Sequence, residues 1–215
     1  IYGVTVSKNT RFGEEVLAFA DRDGIPVEIV AVADDSRTGW SGAGIPAAYQ
    51  LRGMHTAELT VGFPAATEAL LSIEMGFRLV KREGNRARFE AGPGGSGRYA
   101  DVIGDTTTRG LGGSGTIHHI AWSVPDDATE QAKQAELQAS GYHVSPVMDR
   151  DYFHSIYYRE KNGILFEIAT ENPGFAVDED PQALGTALRL PKQHEALRSR
   201  LEQILPVLKP AKSYT

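Results

Sequence analysis

An internal repeat constrains the fold of this chain more than any other feature of its sequence. Residues 11–32 (RFGEEVLAFADRDGIPVEIVAV) and residues 151–171 (DYFHSIYYREKNGILFEIATE) each contain two strand patterns joined by a short turn with a glycine. A shift of 139 residues superimposes the two patterns and places Gly24 on Gly163. Such a repeat predicts that the chain is assembled from copies of one supersecondary unit.

The segment between the two hairpins predicts one complete copy of that unit. Residues 54–63 alternate between apolar and polar side chains like a strand, and residues 65–80 carry apolar side chains at helical spacing until Gly76 ends the helix. Short strand patterns flank the loop GPGGSG at residues 92–97. That loop lacks the Gly-Lys-Ser/Thr of a phosphate-binding loop, so it is interpreted as a hairpin loop.

The last copy begins with the strand pattern IHHIAWSV and ends in the second hairpin. An amphipathic helix is predicted between them over residues 126–141, capped by Asp126 or Asp127. The order of elements is thus strand, helix and three strands. We expect an α+β fold of repeated βαβββ modules, with mixed sheets curled into a cup and a C-terminal helical tail whose helix spans residues 192–208.

The predicted organisation starts inside a module, because the chain begins at Ile1 without a clean start of a domain. We therefore expect the sequence to be the C-terminal part of a longer protein. The predicted segments are the end of an earlier βαβββ module (1–34), a linker (35–51), a first complete βαβββ module (52–113), a second complete βαβββ module (114–171), and a C-terminal loop and helix (172–215).

The charge and composition of the chain restrict its partners. Its formal net charge of -6 argues against nucleic acid and anionic membrane surfaces. The sequence contains no cysteine, which excludes disulfides, thiolate catalysis and Cys-type zinc sites, so any metal must be held by His, Asp or Glu. No apolar run approaches the roughly 18 residues of a transmembrane helix, and no signal peptide is recognisable. A cytoplasmic location is the default expectation.

The strand predicted over residues 118–124 has two different faces, because alternate residues of a strand point the same way. One face is small and polar and begins with His119. The other is bulky and begins with His118, which this alternation directs away from His119. The small face suits the wall of a cavity.

A carboxylate interrupts the apolar strand predicted over residues 164–169. Strand alternation allows this residue, Glu167, to share one concave face with His119. A buried carboxylate is costly unless a metal, a histidine or a basic residue relieves it. A site of two histidines and one carboxylate, common for non-haem Fe(II), needs one more histidine, whereas a core histidine paired with a carboxylate is the alternative. The further histidine could lie outside this chain or be one of His55, His143 and His154.

The repeat also assigns counterparts to these residues in the earlier modules. Glu28 aligns with Glu167, but no strand-opening histidine accompanies it, so a hydrogen-bonded or vestigial Glu28 is favoured over a metal ligand. Aligning the strand starts puts Thr56 at the position of His119, which favours a structural His55.

Three segments of the sequence, GTIHHIAWSVPD, DYFHSIYYREKNGILFEIATENPGFAVDED and TRFGEEVLAFADRDG, resemble the vicinal oxygen chelate superfamily. Within that superfamily the chain is most similar to the ring-cleaving dioxygenases of the hydroquinone dioxygenase type. The resemblance covers nearly the whole chain and is most specific in the last module. It implies a protein of four βαβββ modules, of which this chain would hold the end of the second, the third, the fourth and the C-terminal tail.

The resemblance implies a set of site residues. His119 and Glu167 correspond to two of the family's three iron ligands, and the third, a histidine of the first module, has no counterpart here. Tyr157 corresponds to an active-site acid/base or hydrogen-bond donor, and His118 and Arg150 are expected near the site. The implied metal is Fe(II), with Mn, Ni or Zn as alternatives.

The implied function is Fe(II)-dependent, extradiol-type cleavage of a hydroquinone or catechol, with a small aromatic substrate and dioxygen as partners. Nucleic acid and membranes are not expected as partners, and a homodimer is one option that the sequence leaves open. Two other functions fit the same scaffold. One is a glyoxalase-like, metal-dependent isomerase or lyase, and the other is a metal-free module that binds an aromatic ligand.

Overall fold

A computed structural model of the chain describes residues 3–41, 44–107 and 110–207. Three β-sheets contain the strands of this part of the chain, and a helix follows the first strand of two of them. The fold is therefore α+β, as the sequence predicts. No helix in these ranges has both the length and the apolar character that a membrane-spanning segment needs.

The first sheet lies in the segment predicted to be the end of an earlier module. It contains β1 (Ser7–Arg11), β2 (Glu14–Ala20) and β3 (Pro26–Val30), antiparallel and in that order. The sequence predicts β2 and β3, but it does not predict β1. The reason is that β1 reads SKNTR, so it has no apolar face and is mostly exposed, and only its pairing with β2 identifies it as a strand.

The second sheet lies in the segment predicted to be the first complete module. Its order is β4-β7-β6-β5, and it is mixed, because β4 pairs parallel with β7 while the other pairs are antiparallel. The predicted helix is present, as a short α-helix that continues into a π-helical stretch at residues 70–74. The elements are β4 (Thr56–Val61), α1 (Pro64–Ala69), β5 (Arg78–Glu83), β6 (Arg86–Glu90) and β7 (Tyr99–Gly104).

The third sheet lies in the segment predicted to be the last module and has the same strand order as the second, β8-β11-β10-β9. The predicted cap of its helix is correct, since the Asp126 side chain accepts a hydrogen bond from the Thr129 N–H at 2.8 Å. The elements are β8 (Ile120–Val124), α2 (Asp127–Ala139), β9 (Met148–Asp149), β10 (His154–Arg159) and β11 (Leu165–Thr170).

The strand that leads into each hairpin of the predicted repeat pairs with the hairpin at an equivalent position. In the first sheet Thr10 lies opposite Glu15. A shift of 139 residues converts this pair into Asp149 and His154, which lie opposite each other in the third sheet. The repeat detected in the sequence is therefore a repeat of backbone pairing as well.

The chain divides into two compact units. Residues 1–120 and 159–166 form one of them, which contains the first and second sheets. Residues 121–158 and 167–215 form the other, which contains α2 and most of the third sheet. In the C-terminal part, a 3-10 helix (Lys192–Leu197) leads into α3 (Arg198–Ile204), and the end of the predicted C-terminal helix lies outside the described residues.

The tip of the second hairpin holds the start of α1 within the first unit. The N-cap residue Phe63 has no capping side chain, but its N–H donates to Asn162 Oδ1 at 2.8 Å and its carbonyl accepts from Asn162 Nδ2 at 3.1 Å. One turn later, the buried Thr67 hydroxyl donates to Glu160 Oε2 at 2.7 Å. These bonds join residues that are far apart in the sequence.

Helix α2 carries a buried carboxylate. Glu130 is fully buried, and neither of its carboxyl oxygens has a hydrogen-bond partner among the described residues. Burial raises the pKa of Glu130, the charge of His154 opposes the rise, and Asp127 and Glu167 add to it. Desolvation therefore outweighs the one favourable charge, and the charged form of Glu130 costs stability.

We expect Glu130→Met to raise the free energy of unfolding at pH 7 by about 1–3 kcal/mol, because the variant removes a buried polar group and keeps the helix propensity. Folding raises the pKa of Glu130 above its ordinary value of 4.5, so the proton-linked stability of the wild type is fully present below pH 4.5 and is lost as the pH rises through the folded-state pKa. Urea unfolding at pH 4 and pH 7 tests this, with the exposed Glu136→Met as a control. A variant less stable than the wild type at pH 7 would contradict the expectation.

Candidate functional site

The predicted ligand Glu167 is a buried carboxylate on β11. Glu167 is only 3% exposed. The Tyr157 hydroxyl on the neighbouring strand β10 donates to Glu167 Oε1 at 2.7 Å. Apolar side chains of β11 on the opposite face, Phe166 and Ile168, are buried, so alternation along the strand separates the carboxylate from the apolar core. The hydrogen bond from Tyr157 offsets part of the cost of burying the charge.

Arg150 and Ser155 complete the surroundings of the Tyr157 hydroxyl. The Ser155 hydroxyl donates to Tyr157 Oη at 3.2 Å, and Arg150 Nη2 donates to the same oxygen over a longer distance of 3.4 Å. The Arg150 guanidinium carbon also lies 5.5 Å from the centroid of the Tyr157 ring. The phenol oxygen therefore accepts from a cation and a hydroxyl while it donates to Glu167. Three of the predicted residues, Tyr157, Arg150 and Glu167, come together in the second unit.

Sequence reasoning did not single out Ser155. It is fully buried and lies two residues before Tyr157 on β10, so the two side chains share one face of the strand. A polar residue two positions from a candidate catalytic tyrosine was the available signal. Its meaning depends on whether Ser155 on β10 and Glu167 on β11 lie on the same face of the sheet, and the sequence does not state this.

The small face of β8 contacts the chain just beyond the end of β11, the strand that carries Glu167. Ser123 Oγ donates to Glu171 Oε1 at 2.5 Å, and Glu171 directly follows the last residue of β11. Exposure also alternates along β8, with Ala121 and Ser123 exposed and the bulky residues half-buried. The small face of β8 is therefore its exposed face, and Ser123 on that face contacts the carboxylate that follows β11.

His118 and His119 contact each other, which corrects the predicted orientation of His118. Their Nδ1 atoms lie 2.8 Å apart, and the rings meet edge-on with centroids separated by 5.1 Å. Strand alternation directs adjacent side chains apart, but β8 begins only at Ile120, so alternation does not govern the two histidines. One ring donates and the other accepts, and each fixes the tautomer of its neighbour.

The other candidate histidines are held by carboxylates or exposed. In the first unit, His55 Nε2 lies 3.1 Å from Glu14 and its Nδ1 lies 2.8 Å from Ser96 Oγ. In the second unit, His154 Nδ1 lies 2.8 Å from Asp127 Oδ1, and this hydrogen bond raises the pKa of His154 above its ordinary value. His143 is exposed.

The described ranges hold no group of three or more His, Asp and Glu side chains arranged to bind a metal ion. The predicted ligands still match a non-haem metal in chemical kind. Glu167 offers a buried carboxylate oxygen, and His119 offers an imidazole whose Nδ1 lies 2.8 Å from His118 Nδ1. A ligating histidine commonly forms a hydrogen bond through the ring nitrogen that does not bind the metal. The donor set therefore fits a non-haem metal in kind.

Known proteins resemble this chain over most of its length. The protein provisionally named ring-cleaving dioxygenase MhqO of Bacillus subtilis (strain 168) is 38% identical over 206 residues, which are 95% of this chain and 66% of the relative. MhqE of the same strain, with the same provisional description, is 38% identical over 207 residues, covering 96% of this chain and 67% of the relative. The chlorohydroquinone/hydroquinone 1,2-dioxygenase of Sphingobium indicum is 32% identical over 205 residues, covering 92% of this chain and 64% of the relative.

A solved structure agrees with this resemblance, although no family model matches the chain. The crystal structure of a provisionally assigned dioxygenase from Bacillus subtilis superimposes with a TM-score of 0.91 at 38% sequence identity, covering 97% of this chain and 67% of that one. The chain thus spans about two thirds of the length of the relatives that it matches. Identity at this level over nearly the whole chain confirms the resemblance inferred from the sequence, and the chain belongs to the family of ring-cleaving dioxygenases that includes MhqO and MhqE.

Proposed function

We propose that this chain contributes to the active site of an Fe(II)-dependent, extradiol-type dioxygenase that cleaves the ring of a hydroquinone or catechol. The observation that carries the proposal is the buried Glu167 carboxylate, bonded to the Tyr157 hydroxyl at 2.7 Å in a member of the ring-cleaving dioxygenase family. The name of the Sphingobium relative supports a hydroquinone as the substrate class.

We assign His119 and Glu167 as two metal ligands, and we place the third outside the described residues. Both donors suit Fe(II), for which two histidines and one carboxylate form a common protein site. When bound, Fe(II) would supply the electron transfer between the aromatic ring and dioxygen. His118 would orient His119 by holding its Nδ1, so that the Nε2 atom is directed to the metal.

Tyr157 is the residue that we assign to proton transfer. Its hydroxyl holds a proton that Glu167 accepts in a hydrogen bond, and the same oxygen accepts bonds from Ser155 and Arg150. These two donors would stabilise the phenolate that forms when Tyr157 gives its proton to a substrate oxygen. The exposed, cationic Arg150 would also attract the oxygens of a deprotonated ring hydroxyl.

The test is metal content and oxygen uptake in the full-length protein that contains this chain. After anaerobic loading with Fe(II), we expect close to one iron per protein and oxygen consumption with hydroquinone. His119→Ala is expected to lower both by more than about tenfold, whereas His143→Ala, which changes an exposed histidine, leaves both intact.

Other outcomes would select another function for the same scaffold. Equal iron content in the wild type and His119→Ala, with aromatic compounds still bound after chelation, would contradict the dioxygenase and favour a metal-free binding module. Activity with nickel or zinc under anaerobic conditions would contradict it in favour of a glyoxalase-like isomerase or lyase.

A further inference from the structure

The repeat places an arginine and a glutamate at equivalent positions of its two copies, but the contact between arginine and glutamate differs between the copies. The shift of 139 residues places Arg11 on Arg150, the residue just before the second hairpin, and Glu28 on Glu167 within it. Each pair lies within one of the two compact units. The first hairpin therefore shows what these two residue types do on this backbone when the residues around them differ.

The backbones of the two hairpins are equivalent at the arginine. The residue that follows each arginine has a left-handed conformation, with φ of 51° at Phe12 and 64° at Asp151. Such values are uncommon for residues other than glycine, and especially for a bulky aromatic residue. The same unusual bend at the same repeat position means that Arg11 and Arg150 leave the backbone from equivalent points.

The backbones are equivalent at the turn as well. In the first hairpin the Asp21 N–H donates to the Ile25 carbonyl at 3.0 Å. In the second, the Glu160 N–H donates to the Ile164 carbonyl, also at 3.0 Å. Each pair of residues is related to the other by the same shift. The strands that carry the two glutamates therefore start from the same turn geometry.

In the first hairpin the arginine binds the glutamate directly. Arg11 Nη2 donates to Glu28 Oε1 at 2.9 Å in a salt bridge. The residue opposite Glu28 on the neighbouring strand is Ala18, whose side chain is a single methyl group. The guanidinium can reach the carboxylate across this small residue.

In the second hairpin a tyrosine occupies the position of that alanine. Tyr157 is the counterpart of Ala18, and its hydroxyl lies 2.7 Å from Glu167 Oε1 and 3.4 Å from Arg150 Nη2. The guanidinium lies beside the tyrosine ring, with its carbon 5.5 Å from the ring centroid. The connection from arginine to glutamate thus runs through the phenol hydroxyl.

We propose that Tyr157 is a positioning residue that keeps Arg150 from forming the direct ion pair with Glu167 that Arg11 forms with Glu28. A direct arginine–carboxylate pair neutralises the carboxylate and places a cation where a metal ion would otherwise bind, so the two compete. The inference rests on the proposed function for the metal, but the separation of Arg150 from Glu167 stands on the two hairpins alone.

The test compares Tyr157→Ala with Tyr157→Phe in the full-length protein, because the phenylalanine keeps the ring and removes only the hydroxyl. We expect crystals of Tyr157→Ala to show Arg150 bonded directly to Glu167, as in the first hairpin, and crystals of Tyr157→Phe to keep them apart. Titration with Mn²⁺, followed by the loss of its free-ion EPR signal, is expected to show affinity at least about tenfold weaker in Tyr157→Ala and within about threefold of wild type in Tyr157→Phe. Adding Arg150→Gln to Tyr157→Ala is expected to restore the affinity.

Two results would overturn the positioning role. One is a structure of Tyr157→Ala in which Arg150 does not bind Glu167, and the other is an affinity that Arg150→Gln does not restore. If Tyr157→Ala fails to fold, Ala18→Tyr in the first hairpin provides the mirror test, since the added tyrosine should break the bond of Arg11 to Glu28 and its persistence would count against the proposal. Failure of the proposed function has a separate signature, namely wild-type Mn²⁺ affinity equal to that of Glu167→Gln, and the crystal structures then still decide the role of Tyr157.

Discussion

Replacing Glu167 with glutamine is expected to lower ring-cleaving turnover of the full-length protein by more than about 100-fold and to leave its free energy of unfolding unchanged or higher. The amide oxygen of glutamine can still accept the hydrogen bond from Tyr157, so the local packing is kept. The negative charge is lost, and with it the metal ligand that we assign, which should cost more than the 10- to 100-fold typical of residues that only support a ligand.

This combination separates a functional carboxylate from a structural one. A buried charge costs stability, so its removal is neutral or favourable for folding, whereas activity depends on the charge. Oxygen uptake with hydroquinone and urea unfolding measure the two effects in one preparation. The control is Glu171→Gln, which changes an exposed carboxylate just beyond the end of β11. A variant that keeps its turnover and unfolds more easily would identify Glu167 as a structural partner of Tyr157.

A second large effect concerns a buried ion pair in the first unit. Arg88 is 4% exposed and donates two hydrogen bonds to the fully buried Asp101, from Nε to Oδ1 at 2.8 Å and from Nη2 to Oδ2 at 3.0 Å. A second carboxylate, Glu14, lies 2.6 Å from Nη1, and the rings of Phe12 and Tyr99 lie 4.6 and 4.8 Å from the guanidinium carbon. Burial opposes the charge of Arg88, but the hydrogen bonds to Asp101 and Glu14 more than offset it and raise the pKa of Arg88.

We expect Arg88→Met to lower the free energy of unfolding by about 3–5 kcal/mol, because the substitution leaves the Asp101 charge buried without its main partner. Arg88→Met combined with Asp101→Leu should recover most of that loss, since a well-packed apolar pair can replace a buried ion pair. Urea unfolding of the single and double variants provides the measurement. The exposed Arg78, whose side chain is 62% accessible, is the control, and Arg78→Met should change stability by less than about 1 kcal/mol. A loss below that level in Arg88→Met would show that the pair contributes little.

The sequence predicts the elements whose patterns are local. The Asp126 cap, the helix after β4 and the two hairpins follow from short-range periodicity and turn residues, and the structure confirms them. Strand β1 is not predictable in this way, because its residues have no apolar face and only β2 makes it a strand. The orientation of His118 was also wrong, because a strand boundary that differs by two residues changes which alternation applies.

The candidate site shows the same division between local and distant information. Glu167 is recognisable because a carboxylate interrupts an apolar strand, and Tyr157 and Arg150 follow from the family resemblance. Ser155 and the network of Arg88 are not recognisable, because their meaning depends on contacts between strands. The bond from Arg88 to Glu14, for example, joins residues that are 74 positions apart, and neither lies in a motif.

The hydrogen bonds between Asn162 and Phe63 have a kinetic consequence. They span 99 positions of the chain, so the start of α1 acquires these partners only after the tip of the second hairpin has been synthesised and has returned to it. Contacts of this kind slow folding, because the conformational entropy of the intervening chain is lost before the free energy of the contact is gained. We therefore expect the start of α1 to reach its native hydrogen bonding during synthesis only after residue 162 has left the ribosome.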